Sequence, residues 1–234
     1  MHEVDWNDKA VWNSINNDNT GIFQYESSYA GQLLKTMNAQ NLFDMSLVNA
    51  MIRPSGASYR EDLSHRIVKH NPDQRIDELL KNNLGYLVYQ EDIIAFLQQI
   101  CGLSGSAADT VRRGIGQKRK EVIDEWMPKI LEGYCNGSSK PRKEAEKEAK
   151  DYLKVIEDAS SYSFGYNHSI AYCMLGYLCG YLRYYYPEAF ICAFLNCAKN
   201  DEDIVNGTKL SNDRNIKIKE PIFRYGHAEY SFDD

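Results

Sequence analysis

Apolar residues recur every three to four positions along most of the chain, which is the spacing of amphipathic helices. The predicted helices cover residues 5–19, Tyr29–Met37, Leu42–Met51, Gln90–Cys101, 106–113, Lys118–Tyr134, 142–158, about 170–185 and 188–198. Ser27 precedes one of them as a predicted N-cap. Strand-like alternation is confined to Ile216–Lys219, while residues 85–89 fit either a small strand or the start of a helix. The pattern predicts a mainly α, multi-helical domain with at most a few short strands.

The helical pattern gives way at about residue 200. Before that point, Asn136–Pro141 is the clearest predicted loop, and the acids and bases of residues 142–158 predict a solvated helix. From Asn200 onward the sequence lacks the apolar spacing of a core-forming helix. We therefore predict a helical domain over residues 1–199, followed by a linker and the start of another region over residues 200–234.

A basic cluster lies at a predicted helix–turn–helix joint. Five cations fall within nine positions, and they are Arg112, Arg113, Lys118, Arg119 and Lys120. Arginine offers planar paired donors to phosphate, whereas lysine offers a point charge. The cluster predicts a polyanion site. The alternative is a solvated basic turn that is balanced by the acids that follow it.

Local signals predict where the helix before this cluster begins and ends. Ser106 is the predicted N-cap, and Asp109 is placed to reach back to the cap amide. Gly114 and Gly116 are predicted to end the helix, since glycine lowers helix stability and tolerates unusual backbone angles.

Composition limits what kind of polyanion site this is. A net charge of −6 and a pI of about 5.5 exclude indiscriminate nucleic-acid binding by the whole surface, so the site must be local. The six cysteines form no CxxC pair or zinc-type spacing, which favours a reducing, cytoplasmic setting. The apolar run Ile170–Leu182 is too short to cross a bilayer, so no membrane partner is expected.

Common catalytic signatures are missing from the sequence. No P-loop, Gly-x-Ser-x-Gly or His-Glu-x-x-His pattern is present, and no pair of acids in apolar strand sequence is suited to holding Mg²⁺. Further candidate site elements also have packing or capping explanations. They are Gln24/Glu26/Ser27, Arg53, Tyr89–Glu91 and Asn167/His168/Tyr172. The chain is therefore predicted to bind phosphates without positioning the metals that would react them.

Six segments in a fixed order resemble one known family. They read GIFQYES at 21–27, RPSG at 53–56, GYLVYQED at 85–92, ICGLSGSAADTVRRGIGQK at 100–118, FGYNHSIAY at 164–172 and YLRYYYPEAF at 181–190. This order is similar to that of the fingers domain of bacterial C-family replicative DNA polymerases, in the alpha subunit of DNA polymerase III. The resemblance covers about residues 20–198.

The resemblance implies roles for the candidate residues. Arg112 and Arg113 would meet the triphosphate of the incoming deoxynucleotide, supported there or at the DNA backbone by Lys118 and Lys120. The remaining candidates would lie around the nascent base pair. They are Arg53, Asn167, His168 and Tyr172. FGYNHSIAY lacks the Lys-Ser pair of the family's FNKSHAAAY, so a cation expected at the substrate is missing, while RPSG keeps the arginine of the family's RPGP.

The resemblance also implies partners that lie outside this chain. The palm, with its catalytic aspartates and Mg²⁺, would precede residue 1, and the tandem helix-hairpin-helix and clamp-binding region would follow about residue 200. The chain alone would then hold no cofactor and be inactive. Its partners would be primer–template DNA, the incoming nucleotide, the palm and, through the missing regions, the sliding clamp.

Two other functions remain open from the sequence. In one, the chain is a non-enzymatic helical DNA-binding module, whose hairpin Gly102–Gly105 holds a DNA phosphate through its amides, as a helix-hairpin-helix does. In the other, it is a purely structural helical scaffold, in which Arg112 and Arg113 bind nothing.

Overall fold

The chain folds into α-helices joined by short turns. The computed structural model describes residues 3–160, 165–220 and 229–231. Its twelve α-helices are α1 Lys9–Asn17, α2 Ser28–Met37, α3 Leu42–Ile52, α4 Arg60–Ser64, α5 Gln74–Leu79, α6 Gln90–Ala95, α7 Gly105–Gly116, α8 Lys120–Gly137, α9 Arg142–Ser160, α10 Tyr166–Tyr185, α11 Pro187–Asn196 and α12 Asp201–Asp213. Since no β-strand occurs in these residues, the predicted mainly α class is confirmed.

The helices group into two compact units. Unit 1 comprises Met1–Met45 and Ala171–Asp234, and unit 2 comprises Ser46–Ile170. Both boundaries fall inside a helix, the first in α3 and the second in α10. The domain boundary predicted at residue 199 remains a prediction.

The core of unit 1 is built on the apolar faces of α1 and α2. Trp12, Ile15 and Leu34 are fully buried, and the ring of Tyr177 on α10 packs 4.7 Å from that of Trp12. The Oγ atom of Ser27 accepts a hydrogen bond from the amide of Ala30, so the predicted cap of α2 is confirmed. The apolar spacing read from the sequence therefore placed this core correctly.

The region after residue 200 holds a helix that the sequence analysis missed. The side chain of Asn200 caps α12, and Leu210 is buried against Ile191 and Leu195 of α11. The strand predicted at Ile216–Lys219 is wrong, because residues 216–220 have no regular secondary structure. Of the apolar side chains of α12, Ile204 and Val205 are exposed and Leu210 is buried, so the helix shows little of the periodicity by which a core-forming helix is recognised.

The core of unit 2 lies among α5 to α9. Phe96 and Leu97 are buried in the π-helical turn Phe96–Ile100, which continues α6. They pack in one cluster with Val111, Ile130 and Ile156, which come from α7, α8 and α9. Residues 85–89 form no strand, and Tyr89 is the N-cap of α6, so the helix-start alternative is the correct one.

Cysteine and membrane predictions can be compared with the described residues. All six cysteines are free thiols, and two of them, Cys101 and Cys173, are buried. No described helix has the length and apolar character that crossing a membrane requires.

One buried arginine joins the end of α10 to the α1–α2 connection within unit 1. Arg183 is fully buried and donates to the carbonyl oxygens of Thr20 at 2.7 Å and Ser14 at 3.0 Å. Asp18 lies 3.7 Å away and is shared with Arg214. Burial lowers the pKa of Arg183 to about 10, although Asp18 opposes this shift. The hydrogen bonds and the carboxylate together allow a cation to lie inside the fold.

We predict that Arg183→Met destabilises the chain by about 3–5 kcal/mol, because it leaves two buried carbonyls without their donor. Arg214→Met is the control. Arg214 is 22% exposed and shares the same carboxylate at 3.8 Å, so its loss should cost about 1 kcal/mol or less. The free energy of unfolding in urea measures both variants. Equal losses would show that Arg183 contributes no more than a surface ion pair.

Candidate functional site

Helix α7 carries the paired arginines, and its N-cap lies two residues earlier than predicted. Ser104, rather than Ser106, is the N-cap, and its Oγ atom accepts from the amide of Ala107 at 3.4 Å. Asp109 therefore lies in the second turn of the helix, where it cannot reach the cap amide. Ser104 and Ser106 are both suitable N-cap residues, and only the structure shows that Ser104 is the cap.

The end of α7 also differs from the prediction. The helix runs through Gly114 and Gly116. A methyl group at Gly114 would lie 2.7 Å from the side chain of Val122, so this glycine permits close packing against α8. The helix ends where Lys118 takes a left-handed conformation with φ of 54°. The amide of Arg119 then donates to the carbonyl of Gly114 at 2.8 Å, which is the bonding of a Schellman turn.

A single carboxylate holds both arginines of α7. Arg112 donates through Nε at 3.0 Å and Nη2 at 2.9 Å to Oδ1 of Asp109, while Arg113 lies 2.8 Å from Oδ2. The hydrogen bonds from Arg112 and then Arg113 lower the pKa of Asp109. Asp109, which the sequence analysis treated as a cap, is therefore the partner that orients the pair.

The two arginines differ in their surroundings. The Arg112 side chain is 18% exposed, and Nη1 donates to Oε1 of Gln90 at 3.2 Å. The Arg113 side chain is 66% exposed and lines a surface cavity of about 460 Å³. Arg119 lines the same cavity, together with Thr110 and Gln117. This volume is within the range of small-ligand pockets, about 300–1,000 Å³.

The lysines predicted beside the arginines lie at the turn between α7 and α8. Lys118 and Lys120 are both exposed, but neither lines the cavity beside Arg113. Arg119, which lies between them, does line it. Arg119 belongs to the basic cluster but is not among the site residues predicted from the sequence, since no spacing rule distinguishes three consecutive cations in a turn.

A tight turn at the start of α6 depends on the carboxylate of Asp92. Its Oδ2 atom accepts from the amides of Tyr89 at 2.7 Å and Val88 at 2.9 Å, and from the side chain of Asn83 at 2.8 Å. Burial raises the pKa of Asp92 to about 6, although these three donors oppose the shift. The side chain of Asp92 thus caps α6 by accepting a hydrogen bond from the amide of its N-cap residue Tyr89, three residues earlier.

Three neighbouring residues in that turn contact three other elements of unit 2. The hydroxyl of Tyr89 lies 2.5 Å from that of Ser46 on α3, and Gln90 accepts from Arg112 on α7. Oε2 of Glu91 accepts from the amide of Tyr166 at 2.9 Å, at the first residue of α10. Glu91 is therefore a cap for a distant helix, which no local pattern in the sequence could indicate.

Asn167 and His168 lie in the first turn of α10. The sequence places the start of this helix at about residue 170, but the helix already begins at Tyr166. Residues 161–164, which include Phe164 of the FGYNHSIAY segment, lie outside the described residues. Asn167 and His168 are both exposed, and Ser169 is buried beside them.

Arg53 follows the last turn of α3 and has a fixed backbone. Pro54 restricts it to the extended conformation, with φ of −73° and ψ of 153°. Arg60 donates through Nη2 to the carbonyl of Arg53 at 2.9 Å and through Nε to that of Met51 at 2.6 Å. Arg60, which the sequence analysis did not single out, therefore holds the loop that carries Arg53.

Tyr172 has a packing role in unit 1. Its ring stacks on that of Phe23, with the centroids 5.4 Å apart and the planes 24° from parallel. Gln24, Glu26 and Ser27 also belong to unit 1. The remaining predicted site residues belong to unit 2, where the structure links the start of α10 to Arg112 through the first turn of α6.

The hairpin Gly102–Gly105 is partly engaged within the fold. The amide of Gly102 donates to the carbonyl of Gln98 at 3.1 Å, and that of Leu103 donates to the carbonyl of Leu97 at 3.0 Å. These two amides are unavailable to a DNA phosphate. The alternative in which this hairpin holds DNA through its amides is therefore limited to those of Ser104 and Gly105.

Comparison with known proteins identifies the family. Residues 1–137 match the family described as the bacterial DNA polymerase III alpha subunit finger domain, which is more than half of the 234 residues. The chain belongs to this finger domain family. The resemblance stated from the six segments is thereby confirmed, and the matched residues of the finger domain include Arg53 and all of α6, α7 and α8.

Relatives of this finger domain cover nearly its whole length. The DNA polymerase III subunit alpha of Campylobacter jejuni is 31% identical over 238 residues, covering 97% of this chain and 19% of the relative. That of Bacillus subtilis is 28% identical over 211 residues, covering 88% and 18%, respectively. That of Staphylococcus epidermidis strain RP62A is 28% identical over 239 residues, covering 98% and 22%. The chain thus spans about a fifth of the length of these relatives.

The carboxyl of Asp92 gives the finger domain a testable pH dependence. Because its pKa is raised to about 6 in the fold, the folded state binds the proton more readily than the unfolded state. The stability contributed by this group is therefore present at about pH 4 and is lost as the pH rises towards about 6.

We predict that Asp92→Asn removes this dependence. The stability of the variant minus that of the wild type should rise by about 2–3 kcal/mol from pH 4 to pH 7. Urea unfolding at a series of pH values measures the difference. A difference that falls with increasing pH would mean that the three donors outweigh burial and hold the carboxyl charged.

Proposed function

We propose that this chain is the fingers module of a replicative DNA polymerase and that it binds the triphosphate of the incoming deoxynucleotide beside the primer–template. The cations at the end of α7 contact the phosphates. Arg113 contacts them directly, and Arg112, Lys118 and Lys120 support the same site or the neighbouring DNA backbone. Arg53, Asn167 and His168 of unit 2 lie towards the nascent base pair.

The observation that carries this proposal is the exposure of Arg113 beside a cavity with a second arginine. Two guanidinium groups, those of Arg113 and Arg119, border a cavity that is also lined by Asp109, the partner of Arg113, and by Gln117. Arginine forms paired hydrogen bonds with phosphate oxygens, and the side-chain amide of Gln117 supplies a further donor. In a chain of net charge −6, such a concentration of cations is local and suits an anionic ligand.

The chemical step belongs to another part of the polymerase. Phosphoryl transfer depends mainly on positioning and charge stabilisation, and its Mg²⁺ ions need carboxylate ligands. In the proposed assembly those acids are in the palm, while the sliding clamp is contacted through other regions. The finger domain supplies cations to the nucleotide and is inactive alone.

We predict that Arg113→Ala in the complete polymerase raises the KM for deoxynucleotide about tenfold or more, because a charge-assisted contact with phosphate is lost. Arg142→Ala is a matched control. Arg142 is 67% exposed and pairs with Glu146 four residues away, much as Arg113 is 66% exposed and pairs with Asp109. Single-nucleotide incorporation kinetics measure both variants.

The control should match the wild type. If Arg113→Ala also matches it, the guanidinium does not contact the nucleotide, and the role of a purely structural scaffold is favoured. If the chain without a palm incorporates nucleotides, the proposal that the palm carries the chemical step is wrong.

A further inference from the structure

Arg112 is held by side chains from two different helices. Asp109 accepts from its Nε and Nη2 atoms but lies on the same helix, three residues earlier. Gln90 accepts from Nη1 and comes from the first turn of α6. A planar guanidinium has one orientation once its Nε/Nη2 edge and its Nη1 atom are both hydrogen-bonded. The bond from Nη1 to Gln90 therefore fixes the orientation of the Arg112 guanidinium.

The turn that presents Gln90 is itself rigid. Asp92 bonds to the amides of Val88 and Tyr89 immediately before it, and the hydroxyl of Tyr89 contacts Ser46 of α3. On the other side of Gln90, Glu91 bonds to the first amide of α10. Movement of Gln90 would therefore disturb several helices, so its acceptor oxygen is a fixed reference point for Arg112.

We propose that Gln90 is a positioning residue for nucleotide binding, acting through Arg112. The proposal rests on the proposed function, in which Arg112 supports the triphosphate site. With Gln90 in place, the guanidinium is oriented before the nucleotide arrives, so little side-chain freedom is lost on binding. The same turn holds the start of α10, and it thereby keeps Asn167 and His168 in a constant relation to Arg112.

The test uses the complete polymerase and four variants: Gln90→Ala, Gln90→Glu, Arg112→Ala and the double variant Gln90→Ala/Arg112→Ala. Gln90→Ala should raise the KM for deoxynucleotide about tenfold and leave kcat within about twofold, since it weakens binding without touching the reacting atoms. Gln90→Glu retains an acceptor for Nη1 and should lie closer to the wild type. In the double variant, the loss of Gln90 should add nothing to the loss of Arg112.

Gln99→Ala is the matched control, because Gln99 is exposed in the π-helical turn that continues the same helix. It should match the wild type. If Gln90→Ala also matches it while Arg112→Ala raises KM, the positioning role is overturned and the proposed function stands. Additive effects in the double variant, or an equal loss with Gln90→Glu, would likewise overturn the positioning role. If neither Arg112→Ala nor Arg113→Ala changes KM, both the positioning role and the proposed function fail.

Discussion

The carboxylate of Asp92 is the constraint on which the candidate site depends. A single oxygen collects two backbone amides and one side-chain amide, which fixes four consecutive residues at the start of α6. Those residues are Tyr89, Gln90, Glu91 and Asp92. Since the side chains of a helical turn point in different directions, each can contact a different neighbour. The result is a junction at which α3, α7 and α10 meet one short, internally bonded segment of unit 2.

Asp109 has a complementary effect at α7, because one carboxylate bonds two adjacent arginines. Neighbouring residues on a helix point about 100° apart, so the shared acid cannot place both guanidinium groups in the same environment. Arg112 turns towards Gln90 and is mostly covered, whereas Arg113 remains exposed beside Arg119. The paired arginines are thus specialised by their surroundings. Arg112 is oriented by the protein framework, and Arg113 is exposed beside the cavity.

Much of the fold could be predicted from the sequence, because helix periodicity is local information. Helices α2, with its Ser27 cap, and α3 were found within one residue of their ends. The failures had nonlocal causes. α12 buries few apolar residues, and the true cap of α7 depends on which of two serines the preceding turn places at the helix start. The start of α10 depends on Glu91, which is 75 residues away in sequence.

The same distinction applies to the site. The basic cluster was visible as composition, but the separation of Arg112 from Arg113 needed the position of Gln90, 22 residues earlier. Arg60 gave no signal of its own, and nothing local distinguished Arg119 within the basic cluster, because an arginine that bonds a carbonyl and one that lines a cavity look alike in sequence. Sequence patterns therefore predict least well the roles of residues that orient another residue of the site, as Gln90 orients Arg112.

The backbone at Lys118 has an evolutionary consequence. A left-handed residue at the end of a helix is ordinarily glycine, and a lysine there retains about 1 kcal/mol of conformational strain. Selection for a more robust fold would favour glycine at this position, while selection for a strong positive potential would favour lysine. Replacing Lys118 by glycine to relieve the backbone strain would therefore remove one positive charge from the turn that joins α7 and α8.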